Sequence, residues 1–285
     1  MRIYLRKLFL SIALLISIII ITFAIRLVLQ NKLKWEFPKD KTIAFMGASH
    51  VYRGIDANQI PCAVNLSKPS ERYLFTYIKL KELIKHNPQI KTIILQCGPT
   101  DMWQHSDDKY FVDNEMSEFI PLFYPMLDDE MFADYKGHYI DMISFIIQHM
   151  FDFRSYVGIN YFNHIGYGQQ DKALLAGVID KNDVKPALEK GKFGNAVNRK
   201  YLHKIIDCCN EHQLRLILLY FPMYHPEYYY DLEYYYRCIK QLGDVNYLDY
   251  SRFPIPDSCR YDAHHLNKDG AFYFTKQLAK DLKFN

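Results

Sequence analysis

The chain lacks most of what would mark it as anything but globular. Glycine and proline are scarce, 12 of each in 285 residues, which excludes collagen-like and low-complexity architectures. Charged residues make up 24%, the ordinary globular share rather than the excess of a disordered chain. No internal repeat is visible. Cysteine is sparse too. Cys62, Cys97, Cys208, Cys209, Cys238 and Cys259 form no CxxC pair and no Cys/His ligand spacing, so neither a disulfide scaffold nor a structural zinc site is expected. One or two bridges remain open if the body lies in an oxidising compartment. A basic excess is missing from most of the chain. Residues 1–40 hold seven Lys/Arg against two acids, whereas the other 245 residues hold 28 against 30. Such a body is unsuited to a phosphate backbone, so a nucleic-acid partner is not expected.

What is present begins with a charge-free run of 18 residues, Leu8–Ile25, preceded by Arg2, Arg6 and Lys7. Its length and flanks predict an uncleaved membrane anchor over residues 1–32, with a cytoplasmic amino terminus and a translocated body, periplasmic or at the cell surface. Lys32 and Lys34 beyond the run weaken that orientation. A cleaved signal peptide is the alternative, with Thr22-Phe23-Ala24 as a poor cleavage site.

Residues 33–285 read as one domain. Five short apolar runs, Thr42–Met46, Cys62–Leu66, Thr92–Cys97, Leu214–Phe221 and Val245–Tyr250, have the composition of strands buried on both faces. Helical patterns lie over Ser70–Lys85, Asn198–His212 and Asn267–Leu282. The alternation predicts an α/β fold, a mostly parallel five-stranded sheet between helical layers, with a ligand site at the carboxyl ends of the strands. Residues 102–195 interrupt the rhythm. With helical character at Met142–Phe153 and Ala173–Ile179, they read as a helical insertion, either covering the site or packing as an outwork.

The first strand runs into Gly47-Ala48-Ser49-His50, a turn that exposes a serine at the sheet rim. Near the other end stands Tyr261-Asp262-Ala263-His264-His265-Leu266-Asn267, followed by Gly270-Ala271. An aspartate three residues before a histidine can hold the near imidazole nitrogen and leave the far one free to take a serine proton. Together these blocks resemble the first and last sequence blocks of the SGNH (GDSL-like) hydrolases, over Thr42–Trp103 and Asn198–Leu282. The resemblance implies a flavodoxin-like three-layer sandwich and no cofactor or metal. It makes Ser49 the nucleophile, His265 the acid/base and Asp262 the residue that fixes its tautomer; His264 does not fit the spacing. His50 falls beside the nucleophile. Two middle blocks depart from the pattern. Ser67 stands where the family has glycine, and Gly98-Pro99-Thr100-Asp101 carries Thr100 in the asparagine slot. The oxyanion donors implied are the N–H groups of Ser49 and Ser67 and the Thr100 hydroxyl, with Gly98 at the turn.

Seven tyrosines within residues 221–237 read either as a sugar-stacking platform with His225 near the pocket, or as an amphipathic helix packing its rings. Asp101, Asp107 and Asp108 read as solvated acids. His50, His264, His265 and Asp262 lack the regular spacing of a metal site. The function expected is a membrane-tethered extracytoplasmic serine esterase or O-acyltransferase on an acylated, O-acetylated, polysaccharide or glycoconjugate, since membrane-anchored relatives of this type are linked to acylation of envelope polymers. The near-neutral body suits an uncharged sugar. The alternative is an inactive accessory protein that keeps the fold to bind a glycan or an enzyme; a third, lipid hydrolysis, needs an apolar acyl slot that is not visible.

Overall fold

A computed structural model describes residues 1–30, 35–103, 110–111, 116–149, 176–184 and 196–284. In chain order the elements are α1 (Arg2–Gln30), β1 (Ile43–Met46), α2 (Ser49–Gly54), β2 (Ala63–Asn65), α3 (Tyr73–His86), β3 (Thr92–Gln96), α4 (Pro99–Trp103), α5 (Met116–Phe123), α6 (Asp129–Asp134), α7 (Tyr139–Gln148), α8 (Ala196–Glu211), β4 (Arg215–Tyr220), α9 (Leu232–Gln241), β5 (Asn246–Asp249) and α10 (Lys268–Leu282). The described residues form two compact units. One takes those of Met1–Lys34 and Phe111–Tyr161, the other those of Trp35–Tyr110 and Phe162–Asn285.

In the first unit, α1 carries a 24-residue stretch, Arg2–Ile25, of mean hydropathy 3.0, long and apolar enough to cross a membrane. Two of its hydroxyls bond within the helix: Ser17 Oγ donates to the Ala13 carbonyl and Thr22 Oγ1 to that of Ile18, each at 2.8 Å. Such bonds would leave neither hydroxyl proton without an acceptor in an apolar medium. Lys32 and Lys34 lie outside the described residues. In the same unit α5 packs on α7, with Phe119 and Phe123 buried. The helix expected from Met142 to Phe153 begins earlier, at Tyr139, and residues 150–153 lie outside the described part.

The second unit holds the sheet. Its order is β2-β1-β3-β4-β5, all pairs parallel, with Phe45 in register with Asn65 on one side and Ile94 on the other. The predicted runs differ from the strands by a residue or so at each end. Every residue of β1 and β2 is buried, as expected of strands covered on both faces. Phe45, Ile94, Ile217 and Leu219 pack with Val51 of α2 and with Phe274 and Leu278 of α10. Alternation sends Ala44, Ile93 and Leu218 to the opposite face, where α3 and α8 pack against each other. Truncating a ring such as Phe274, fully buried here, costs about 3–5 kcal/mol.

An ion pair is buried where β2 leads into α3. Lys79 and Glu71, both buried, form an ion pair, and Lys79 Nζ also donates to the Leu66 carbonyl. Burial pulls both toward their neutral forms, Glu71 upward and Lys79 downward, against the attraction between them. The pair ties the β2–α3 connection to α3. Residues 176–179 are not helical, contrary to the reading of Ala173–Ile179; Ile179 N–H instead donates to the Arg260 carbonyl at 2.9 Å. Residues 173–175, Asp107 and Asp108 lie outside the described residues. All six cysteines are free thiols. Cys97 is buried among apolar neighbours, which pushes its thiol up to about 12 and makes it inert.

Candidate active site

The order of the strands reverses between β1 and β3, the position at which a parallel α/β sheet leaves a crevice. Both segments expected to carry chemistry from the first half of the chain, Gly47–His50 and Gly98–Asp101, leave the carboxyl ends of those two strands.

The turn after β1 depends on a missing side chain. Gly47 has φ +134°, and a Cβ there would lie 2.4 Å from the Gln96 Cβ at the end of β3. That close approach is open to glycine alone. Gln96 then uses its whole amide on the turn. Its Oε1 accepts from the Ala48 N–H at 3.1 Å and the Val51 N–H at 3.3 Å, and its Nε2 donates to Asp101 at 3.0 Å. The end of β3 is pinned in turn by two tyrosines. Tyr73 OH donates to the Gln96 carbonyl at 2.9 Å and Tyr235 OH to the Cys97 carbonyl at 2.7 Å. Ser49 thereby starts α2 from a turn fixed by its neighbour strand.

The last block is fixed as tightly. Asn267 caps α10, its Oδ1 accepting from the N–H groups of Asp269 and Gly270, while its Nδ2 donates to the carbonyls of Gly177 and Ser258. At Gly270 any Cβ would lie 2.0 Å from the Cys259 carbonyl oxygen. The loop before this cap holds Asp262 and His265. Asp262 Oδ1 accepts from the backbone N–H groups of His264 and His265, both at 2.7 Å, and the carboxylate meets His265 Nδ1 at 2.9–3.0 Å. Burial would raise this carboxyl; the hydrogen bond and charge of His265 and the two N–H groups outweigh it and hold Asp262 down at about 2. The other imidazole nitrogen, His265 Nε2, lies 2.9 Å from Ser49 Oγ. Ser49, His265 and Asp262 are thus one hydrogen-bonded series.

His50 stacks on His265, ring centroids 5.3 Å apart, and its Nε2 is buried without a partner. Burial, reinforced by the nearby His265 and His264, lowers it to about 3, so His50 is a neutral wall behind the imidazole. His264 faces away from the series, toward Tyr229 and Tyr230, its ring 4.8 Å from that of Tyr229.

The oxyanion donors need correction. Ser67 is fully buried, and its N–H donates to Asn65 Oδ1 at 3.1 Å, as does its hydroxyl. The Gly98 N–H is likewise spent, on Asp101 Oδ2 at 2.7 Å. Neither is open to a ligand, because each satisfies a side-chain acceptor within its own turn. Ser49 N–H and Thr100 Oγ1 have no hydrogen-bond partner among the described residues. Asp101 is not a solvated acid. Burial raises its carboxyl to about 7 in spite of the Gly98 and Gln96 donors. His225 lies elsewhere, pairing with Glu227 at 3.1 Å and lining a separate recess with Tyr224 and Arg260. The tyrosine run divides accordingly. Tyr235 is core, Tyr236 bonds Asp249 at 2.7 Å, and Tyr229 and Tyr230 flank His264.

Sequence reasoning missed Gln96. The signal was there: it is the one polar side chain in the apolar run Thr92–Cys97 that follows the opening threonine. Among the described residues no cluster of three or more His, Cys, Asp or Glu side chains is arranged to hold a metal.

No family model and no curated protein matches the chain. Among solved structures it is similar to a presumed acylhydrolase from Bacteroides fragilis, at 9% identity and TM-score 0.40 over 90% of this chain and 93% of that one. It is similar also to a GDSL-like lipase from Bacteroides thetaiotaomicron, at 7% identity and TM-score 0.39 over 89% and 93%.

Proposed function

We propose that the protein is a membrane-tethered serine esterase or O-acyltransferase acting on an acylated glycan outside the cytoplasm. The observation that carries this reading is the series Ser49 Oγ to His265 Nε2 at 2.9 Å and His265 Nδ1 to Asp262 at 2.9 Å, with Asp262 held ionised. Asp262 fixes the proton on Nδ1, leaving Nε2 as the base. Ser49 Oγ attacks the ester carbonyl carbon while Nε2 takes its proton. The negative oxygen of the tetrahedral intermediate leans on the Ser49 N–H and the Thr100 hydroxyl. The ester C–O bond then breaks, His265 returns the proton to the leaving sugar oxygen, and the acyl group stays on Ser49. Water or a second hydroxyl, deprotonated by His265, takes the acyl group and frees the serine. Support for that location comes from α1, long and apolar enough to span a membrane, and from Arg2, Arg6 and Lys7 at its start, which favour a cytoplasmic amino terminus.

One observation favours the second reading, a non-catalytic accessory protein. One of the three expected oxyanion donors, the Ser67 N–H, is occupied, as is the Gly98 N–H at the neighbouring turn, and a missing donor costs on the order of 10²–10³ in turnover. A fluorophosphonate probe separates the two, because only an activated serine is phosphonylated. The full chain in detergent should be labelled and should hydrolyse p-nitrophenyl acetate, and Ser49→Ala should do neither. Labelling that survives Ser49→Ala refutes the assignment.

A further inference from the structure

Arg260 is the least accommodated charge of the sheet-bearing unit. It is only 5% exposed, its Nε is buried without a hydrogen-bond partner, and among the described residues its guanidinium enters no ion pair. Burial opposes its charge, with Asp257 and Tyr224 the nearest compensation, yet an arginine stays protonated. The acids around it are committed elsewhere. Asp257 pairs with Lys181, and Glu227 is held by His225 Nδ1 at 3.1 Å and lies 4.0 Å from Arg252. The guanidinium borders a recess of about 370 Å³ that Tyr224, His225, Arg252 and Phe253 help to line, and its carbon lies 5.7 Å from the Tyr224 ring centroid. That volume falls in the ordinary range of small-molecule sites, roughly 300–1,000 Å³.

We propose that this recess binds a monoanionic sugar acid, its carboxylate paired with the Arg260 guanidinium and its ring against Tyr224 and Phe253. A guanidinium fork matches a carboxylate edge. Only one positive charge there is uncompensated, and a phosphate dianion would face Glu227 and Asp257 with nothing to offset its second charge. The recess is built on the loop that holds the base: Tyr224 N–H donates to the Ala263 carbonyl at 2.9 Å, and Ala263 lies between Asp262 and His264. On the esterase reading, the acylated glycan is therefore acidic. The near-neutral body pointed to an uncharged sugar, but net charge averages over a surface and this recess has its own.

The test is titration of the full chain in detergent micelles with glucuronate, glucose and inorganic phosphate, followed by saturation-transfer NMR. Glucuronate should bind saturably, with glucose and phosphate each at least about tenfold weaker. Arg260→Met should weaken glucuronate by at least about tenfold while the melting temperature holds or rises, because an apolar side chain replaces an unpaired buried charge. Should that variant not fold, Arg260→Lys keeps the charge without the fork and should lose about tenfold. Glucose binding as well as glucuronate, phosphate binding best, no saturation by tens of millimolar, or wild-type affinity in the variants each overturns the proposal. Ser49→Ala should bind glucuronate like the wild type. Lost probe labelling with intact glucuronate binding removes the esterase reading alone, and the reverse result removes this one alone.

Discussion

Replacing Gln96 by methionine keeps the length of the side chain and deletes every hydrogen bond it makes. Gln96 is 3% exposed, so water does not replace it. The Ala48 and Val51 N–H groups, now 3.1 and 3.3 Å from Oε1, lose their acceptor, and Asp101 loses a donor at 3.0 Å. A buried donor left unmade costs about 1–3 kcal/mol, so the two N–H groups together predict a loss of about 2–6 kcal/mol. A gain from burying the thioether offsets part of this, leaving a net loss of at least about 1 kcal/mol. Two measurements check it. Urea denaturation of the full chain in detergent, followed by tryptophan fluorescence, should show a lower midpoint with unchanged slope. The rate of fluorophosphonate labelling should also fall by at least about tenfold, because the turn that aims Ser49 has lost its anchor. Urea stability within about 0.5 kcal/mol of wild type, with unchanged labelling, would refute the claim that Gln96 holds the turn.

Asp262→Asn should lower turnover by about 10³–10⁴ through the wrong imidazole tautomer while labelling of other serines stays at background. In the wild type Asp262 stays ionised well into acid; its folded value is depressed from 3.8 to about 2. Its contribution to stability is therefore complete above about pH 4 and is lost as pH falls toward 2, a loss that acid titration of Asp262→Asn should lack. Asp101 works with the opposite sign. Its folded value is raised from 3.8 to about 7, so the folded state holds a proton that the unfolded state gives up, and stability falls as pH rises from about 4 to about 7. Asp101→Asn should flatten that slope in denaturation series across the same range. Thr100→Ala should reduce kcat on p-nitrophenyl acetate by about 10²-fold and leave the urea midpoint in place; an unchanged kcat removes Thr100 from the oxyanion site.

β1 to β4 were legible because each is a short, mainly apolar run between turn residues, the pattern forced on a strand covered on both faces; β5, at the sheet edge, was expected to be buried on both faces too, but its Asn246 and Asp249 are exposed. The ends of the site were legible for a related reason. Gly47 and Gly270 stand where neighbouring atoms exclude a Cβ, and Asp262 reaches His265 within one loop, so local spacing carries the geometry. What local spacing does not reveal is which hydrogen-bond partner a buried polar group takes. Ser67 was expected to offer its N–H, but Asn65 two residues earlier takes it. Lys79, charged and within a helical stripe, is buried because Glu71 and the Leu66 carbonyl meet it there. Arg260 and His225 could not be placed from the sequence, since both depend on how the Tyr224 turn rests on the Ala263 loop.

Asp262 and His265 are three residues apart, whereas Ser49 and His265 are separated by 216. The acid and base can therefore pair early in folding, within a single loop. The bond to the serine waits until α10 has docked beside α2, a step also marked by the Asp56 N–H on Thr275 Oγ1 at 2.9 Å and Gln59 on the Phe272 carbonyl at 3.0 Å. Contacts of such high sequence separation are the slow ones to form. Reactivity toward the serine probe during refolding thus works as a clock for closure of the two ends of the chain.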